Sequence, residues 1–361
     1  MKKSTRILFA LVAVMMLASA CGQPAAPTAP VAPEAPAAAA PAAEPAAPTE
    51  PTFSGSTVTL KIGYSTNEED PRGLASKKFK EIVEQASGGS IIVEIYPSGQ
   101  LGGDAALIEA MALDSGMVDI IITDASNFAT YDAKMGVSAL PFLFKDFETA
   151  WKFMDSDLVA GVEEALIEQN MRVLAHFCNG FRCVTTSKSE VLSPADMKGM
   201  LIRTPENPVI MATMRALGAN PQPLAFSELY IALQQGTYDA QENPVPVIFN
   251  NKLYEVQKYL SITNHIYSGM CFTISESIWQ TMSAEQQKLV ADAAKEVQTY
   301  NRELNKQMTE DFLAELEAKG MVISHPDLAP FSEATASVAD DLSGQYGALL
   351  DDLKAWLAEN Q

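Results

Sequence analysis

Two arginines and one asparagine stand out because each lies beside a short apolar segment that is typical of a strand. Arg203 ends "GMLIR", Arg182 follows "CNGF", and Asn243 lies in "DAQENP". Arginine keeps its charge in proteins, and its planar guanidinium can donate paired hydrogen bonds to both oxygens of a carboxylate. Each arginine is therefore exposed, paired with an internal acid such as Glu190 or Glu206, or placed to bind an anion from outside.

Sequence motifs for catalysis are missing. The chain has no G-x-S-x-G, H-E-x-x-H, Walker or G-x-G-x-x-G motif, and its glycine-rich segments at 87–89 and 98–103 read as turns. The three histidines, His176, His265 and His325, are far apart and show no metal-ligand spacing. We therefore expect no enzyme activity, no cofactor and no metal site, while an exported hydrolase without a recognisable motif stays an alternative.

The N-terminus has the pattern of an export signal. Basic residues precede an apolar run at 7–20, which is too short to span a membrane and is typical of a signal peptide. The run ends in "LASAC", so Cys21 fits a lipoprotein cleavage site, although Ala18 stands where such sites usually have Leu. The same residues also fit ordinary cleavage followed by plain secretion.

Residues 22–52 are almost entirely Ala and Pro and contain no Lys or Arg. This composition cannot form a core and predicts a semi-rigid spacer, which suits a lipidated cysteine that holds a domain away from a membrane. We predict a signal peptide at 1–20, lipidated Cys21 with a disordered tether over 21–55, and an extracytoplasmic protein anchored to a membrane through Cys21.

The net charge of the chain restricts the kinds of partner that it can bind. The formal net charge of −20 argues against a nucleic-acid partner, because nothing in this composition would neutralise a phosphate backbone.

Cys178 and Cys183 flank "NGFR", and Cys271 lies apart. A hairpin turn at "NGFR" would allow a disulfide, whereas a continuous strand would separate the two cysteines by roughly 16 Å and prevent it.

Alternating strands and helices predict an α/β fold with a largely parallel sheet. Runs rich in Val and Ile predict strands at 57–64, 91–96, 117–123 and 172–177, with helices at 73–87, 104–114 and 147–169. After Arg203 we predict helices at 208–217, 227–235 and 246–257, and a strand at 238–240. Residues 283–319 contain no Gly or Pro and predict one long helix, and a final helix covers 331–358 with a break near Gly344 and Gly347.

The central part of the chain resembles a known family. "LSPADMKGMLIRTPENP", "ALGANPQPLAFSELYIALQQGTYDAQENP" and "LYEVQKYLSITNH" are similar to the pattern of the DctP-like substrate-binding proteins of TRAP transporters. "YPSGQLGG" at 96–103 and "ALPFLF" at 139–144 also match, and the resemblance extends over about 57–345.

The resemblance implies a periplasmic-binding-protein type of α/β fold, with two lobes, a hinge and a long helix across both. It places lobe I at 56–180 plus 269–308 and lobe II at 181–268 plus 309–361. The long helix predicted from residues 283–319 agrees with this arrangement.

The resemblance also implies site residues. Arg203 falls on the arginine that binds the ligand carboxylate, Asn243 on a second ligand contact, and Phe226 on an aromatic that packs against the ligand. A further family arginine, which precedes the anchor, falls on Arg182, where the spacing of 21 residues to Arg203 is one more than in the sialic-acid-binding members. Ala240 replaces a family glycine in "DAQENP".

Other residues are candidates from their positions near the predicted strand ends. Where sugar-acid binders present Glu and Arg, this chain has Asp124 and Asn127, which disfavours sialic acid. The predicted ligand-binding residues are Ser65, Asp124, Arg182, Arg203, Glu206, Phe226 and Asn243.

The predicted function is that of an extracytoplasmic solute receptor. It binds a small carboxylate-containing organic acid and delivers it to a TRAP membrane permease that uses an ion gradient. Alternatives are the binding protein of another importer or of a sensor system, and a structural surface lipoprotein.

Overall fold

The computed structural model describes residues 56–360. The predicted signal peptide at 1–20, Cys21 and the whole predicted tether up to residue 55 lie outside the described residues. None of the helices within 56–360 is both long enough and apolar enough to cross a membrane.

A single mixed sheet organises the described residues. The strands are β1 (Val58–Gly63), β2 (Ile91–Tyr96), β3 (Ile120–Asp124), β4 (Met171–Thr186), β5 (Leu201–Thr204), β6 (Asn220–Pro223), β7 (Ala240–Pro244), β8 (Tyr259–Ser275) and β9 (Val322–Ser324). Their order in the sheet is β2-β1-β3-β8-β4-β7-β5-β6, with β9 beside β8. Parallel strands form both ends of the sheet, and antiparallel pairs of β4 and β8 join them.

Two long strands, β4 and β8, connect the two ends of the sheet. The sequence predicted only 172–177 of β4 and none of β8. Most of β8 is buried on both faces, so its residues lack the alternation that marks a half-buried strand. Because β4 continues through "NGFR", Cys178 and Cys183 are not cross-linked, and both are free buried thiols.

Helices cover the sheet and lie largely where the sequence predicted them. They are α1 (Pro71–Ala86), α2 (Asp104–Ala112), α3 (Phe147–Met154), α4 (Asp157–Ile167), α5 (Pro208–Ala216), α6 (Phe226–Gln234), α7 (Val245–Asn250), α8 (Glu276–Thr281), α9 (Ala284–Ala318), α10 (Ala329–Thr335), α11 (Val338–Asp341), α12 (Ser343–Tyr346) and α13 (Leu349–Asn360). Short 3-10 segments lie at Ala125–Thr130, Ala133–Ala139, Pro194–Met197 and Leu253–Glu255.

The long helix is confirmed as α9, with 35 residues. Ser283 and Gln286 form a capping box at its start, so two backbone N–H groups that the helix leaves unpaired are satisfied. The predicted helix at 147–169 is divided into α3 and α4, and the one at 331–358 into four short helices, with Gly347 at φ 54° just after α12.

The C-terminal helices contact elements from both predicted lobes. Leu350 and Leu353 of α13 belong to a core with α3 and α4, and Trp356 contacts Phe153 with ring centroids 5.2 Å apart. The prediction assigned 309–361 to lobe II, and α11 does contact α5 of that predicted lobe, whereas α13 contacts α4 of predicted lobe I. An apolar helix face shows that a helix will be buried, but not which surface buries it.

Candidate functional site

Six of the seven predicted site residues line one cavity of about 40 Å³. They come from the ends of β1, β3, β5 and β7, from β4, and from the start of α6, and they are Ser65, Asp124, Arg182, Arg203, Phe226 and Asn243. A larger cavity, of about 330 Å³, shares Ser65 and Phe226 with it. Glu206 is exposed and lines neither cavity.

Arg203 is buried without an acidic partner among residues 56–360. Its side chain is 3% exposed, and its guanidinium donates two hydrogen bonds to the Leu224 carbonyl, at 2.9 and 2.5 Å. The guanidinium carbon lies 5.8 Å from the centre of the Phe226 ring, within the range of a cation–π contact. Burial lowers the pKa of Arg203 to about 10, so it is still charged at neutral pH.

Arg182 is also buried, but Glu242 pairs with it. Two guanidinium nitrogens bind the two carboxylate oxygens of Glu242, one of them at 2.7 Å. His265 lies 3.2 Å from the same carboxylate. Burial raises the pKa of Glu242, but the charge and hydrogen bonds of Arg182 outweigh it and leave the pKa below its usual value. Arg182 therefore has its charge compensated inside the protein, unlike Arg203.

Asn243 lies on β7, between the strands β4 and β5 that carry the two arginines. Its amide nitrogen donates to Gln241 at 2.6 Å, and its oxygen accepts from Arg182 at 3.3 Å. The neighbouring Ala240, which replaces the family glycine, is fully buried in β7 and is not among the positive-φ residues. The strand therefore accommodates alanine without strain, because only a positive φ would require glycine.

Asp124 and Ser65 add oxygen atoms to the cavity. Asp124 accepts hydrogen bonds from the backbone and hydroxyl of Ser126 and from the hydroxyl of Ser268. Ser65 donates to Asp104, 3.1 Å from both carboxylate oxygens. These carboxylates bind hydroxyl groups of the protein, so the same wall of the cavity can accept hydrogen bonds from hydroxyls of a ligand.

Several lining residues were not predicted. Arg72 is buried at the start of α1, pairs with Asp70 at 2.9 Å and donates to Asn179 at 2.8 Å. Thr66 is buried, and its hydroxyl has no hydrogen-bond partner among the described residues. Asn127, which the sequence analysis named beside Asp124, also lines the cavity. The remaining unpredicted lining residues include Asp104, Thr123, Asn179, Pro205 and Val247.

Sequence signals existed for only part of this set. Glu242 lies directly before Asn243 in "DAQENP", and this carboxylate could have suggested an ion pair with Arg182. The pairing of β4 with β7 puts Arg182 opposite Pro244 and Val184 opposite Glu242, and this register depends on the tertiary fold. Thr66 directly follows Ser65 at the end of the first predicted strand, so the same strand end could have suggested it. Arg72 lies at the start of α1 and follows no strand motif, so its position carried no signal.

The family model "Bacterial extracellular solute-binding protein, family 7" matches residues 62–345. The chain belongs to this family. The 2,3-diketo-L-gulonate-binding periplasmic protein of Escherichia coli is 33% identical over 292 residues, which cover 81% of this chain and 88% of that protein.

Solved structures of TRAP periplasmic solute-binding proteins have the same fold. One from Polaromonas, bound to D-erythronate, has a TM-score of 0.80 and 32% identity, and the match covers 83% of this chain and 98% of that one. One from Roseobacter denitrificans, bound to L-galactonate, has a TM-score of 0.78 and 33% identity over 84% and 99% of the two chains.

Membership in family 7 confirms the recognition made from the sequence, and the structural similarity confirms the α/β fold of a two-lobed solute-binding protein. The chain is a TRAP-type extracellular solute receptor. The exact boundaries of the two lobes and the ligand contacts of individual residues stay predictions.

Proposed function

We propose that this receptor binds a hydroxylated monocarboxylic acid, with Arg203 as the anchor of the carboxylate. The observation that carries the proposal is the burial of Arg203 without an acidic partner among the described residues, while Arg72 and Arg182 each have one. An unpaired buried charge is costly, and a carboxylate compensates it with paired, charge-assisted hydrogen bonds.

The rest of the cavity favours hydroxyl groups over a second carboxylate. Asp104 and Asp124 contribute negative charge, which repels a second anionic group and accepts hydrogen bonds from hydroxyls. The unpartnered hydroxyl of Thr66 offers a further polar contact. The named relatives bind D-erythronate, L-galactonate and 2,3-diketo-L-gulonate, which supports a sugar acid as the ligand.

We expect the bound acid to be released unchanged to a TRAP membrane permease. The receptor performs no reaction, and binding favours lobe closure only by the extra free energy that the ligand gains in the closed form. Reconstituted transport with a TRAP permease, driven by an ion gradient and independent of ATP, tests this partner. Transport that requires ATP would contradict it.

We also propose that Cys21 is lipidated and attaches the receptor to a membrane. The support is its position between the predicted signal peptide and the predicted Ala/Pro-rich tether. Labelling cells with a fatty acid, with Cys21→Ser as control, tests the anchor. An unlabelled wild-type protein would show that it is secreted without lipid.

The anchor role of Arg203 is tested by Arg203→Lys, which keeps the charge but loses the planar fork. We expect calorimetry with the best ligand from a panel of aldonic acids and succinate to show a loss of at least about 2 kcal/mol of binding free energy. Glu206→Gln is the control, because Glu206 is exposed and lines neither cavity. Unchanged affinity in Arg203→Lys would refute the anchor, and preference for succinate would refute the ligand class.

A further inference from the structure

A second group of reactive side chains lies apart from the solute cavity. It consists of Glu163 on α4, His176 on β4 and Cys271 on β8, and their ligand atoms all lie within 4.8 Å of one another. None of the three lines the cavity around Arg203. We expected no metal site from the spacing of the histidines, but spacing along the chain does not show which residues pair across a sheet.

Two of these residues are held on a rigid support. His176 and Cys271 are direct partners in the antiparallel pairing of β4 with β8, so their side chains lie on the same face. His176 Nε2 lies 2.7 Å from Glu163 Oε1, and Cys271 Sγ lies 3.7 Å from the same oxygen. His176 and Cys271 are 6% and 0% exposed, so water has little access to either.

The other nitrogen of His176 has the partner that a metal-binding histidine needs. Nδ1 lies 3.3 Å from Asp155 Oδ1. Arg302 holds that carboxylate with two hydrogen bonds, of 2.6 and 2.9 Å, and Gln298 donates to it as well. In metal sites a carboxylate of this kind accepts a hydrogen bond from Nδ1–H, which orients the imidazole and leaves Nε2 free for the metal.

We propose that Glu163, His176 and Cys271 form a binding site for a divalent transition-metal cation of the Zn²⁺ type. One carboxylate oxygen, one imidazole nitrogen and one thiolate are ligands that Zn²⁺ accepts in tetrahedral sites, and a water molecule completes the fourth position. Bonds of that type place neighbouring ligand atoms about 3.3–3.8 Å apart. The 3.7 Å separation of Cys271 and Glu163 fits, and the 2.7 Å hydrogen bond of His176 and Glu163 has to open slightly.

The charges of the proposed ligand set match those of the cation. Carboxylate Glu163 and thiolate Cys271 supply two negative charges and neutral His176 supplies none, so together they neutralise one divalent cation. A metal-bound cysteine is a thiolate, so the cation displaces the thiol proton of Cys271. Outside this set, Asp155 and Arg302 form an ion pair with each other.

The test uses the full chain, freed of metal with a chelator and titrated with Zn²⁺ against a chromophoric competitor. We expect one Zn²⁺ per chain, with Cys271→Ser weakening the affinity at least about a hundredfold. The matched control is Cys183→Ser, which removes another buried thiol and should leave the affinity unchanged. Co²⁺ should give the absorption bands of a tetrahedral thiolate complex in wild type and in the control only.

Several results would contradict a metal site at Glu163, His176 and Cys271. Binding that Cys271→Ser leaves intact would assign the metal to other residues, and a Co²⁺ spectrum without a thiolate band in wild type would exclude Cys271 as a ligand. If Cys271→Ser does not fold, Glu163→Gln should still lower the affinity, with circular dichroism as the check on folding. Absence of Zn²⁺ binding in wild type would leave the group as an ion pair. None of these outcomes depends on the ligand of the solute cavity.

Discussion

At the scale of single residues, the local environment gives two buried arginines different roles. Arg182 has a carboxylate partner in Glu242, whereas Arg203 has only a backbone carbonyl and the Phe226 ring among the described residues. Because both charges are permanent, the first is expected to contribute mainly to the stability of the site and the second mainly to ligand binding.

Glu242→Gln should destabilise the protein strongly. Glu242 is fully buried, and its loss leaves the charge of Arg182 without a partner, which costs about 3–5 kcal/mol. Chemical denaturation measures the change in unfolding free energy. Asp292→Asn is the control, because its ion pair with Lys288 is exposed, and it should cost no more than about 0.5 kcal/mol. Equal effects of the two variants would contradict the role of the buried pair.

The effect of Glu242→Gln should also depend on pH. The pKa of Glu242 in the folded protein lies below its usual value of 4.5. Its contribution to stability is therefore complete above pH 4.5 and is lost as the pH falls through the lowered pKa. We expect the difference in unfolding free energy between wild type and Glu242→Gln to be constant near neutral pH and to narrow in acid. A difference that grows in acid would show that the pKa is raised.

At the scale of elements, β4 does more than connect the two ends of the sheet. Its pairing with β8 shifts register between Cys178 and Gly180, and Gly180 has φ +114°. A Cβ at Gly180 would lie 3.0 Å from Pro244 Cβ and 3.2 Å from Asn305 Oδ1. This irregularity lies two residues before Arg182, so the bulge contributes to aiming that side chain into the cavity.

Gly180→Ala should therefore be destabilising. The positive φ costs a non-glycine residue about 1–3 kcal/mol, and the contact with Pro244 adds to it. Gly161→Ala is the matched control, since Gly161 lies in α4 with nothing within 4 Å of its added Cβ. That substitution should stabilise the protein by about 0.5–1 kcal/mol. Thermal unfolding of both variants measures the difference, and stabilisation by Gly180→Ala would refute the strain.

At the scale of the whole molecule, the described part of the chain folds without disulfides. Cys178, Cys183 and Cys271 are free and buried, so no cross-link among them contributes to stability. Burial raises the pKa of Cys178 to about 11 and that of Cys183 to about 12. A buried thiol that keeps its proton is a poor nucleophile.

These three thiols should be unreactive until the protein unfolds. Alkylation with iodoacetamide at neutral pH, read by peptide mass spectrometry, should leave Cys178, Cys183 and Cys271 unmodified in the native protein. Denaturant without reductant should expose all three to the reagent. Modification that requires a reductant would show a disulfide, and rapid modification of the native protein would show that the thiols are accessible.

The sequence by itself determined a large part of this protein. Local patterns are enough for α1, α5 and α9, because helix periodicity and capping residues act over a few positions. The motifs around Arg203 were enough for the family, and with the strand ends at Ser65 and Asp124 they predicted six residues that line one cavity. Such residues could be predicted because each lies near a strand end or helix start within a recognisable segment.

Only the tertiary structure decided which residues meet. The register of β4 with β7 puts Glu242 diagonally across from Arg182, where the two side chains form an ion pair. The register of β4 with β8 puts His176 opposite Cys271, and packing places α13 against α4. A run that is buried on both faces, such as β8, has no periodic pattern that shows its partner. These choices depend on contacts between residues far apart in the chain, and only the folded molecule brings those residues together.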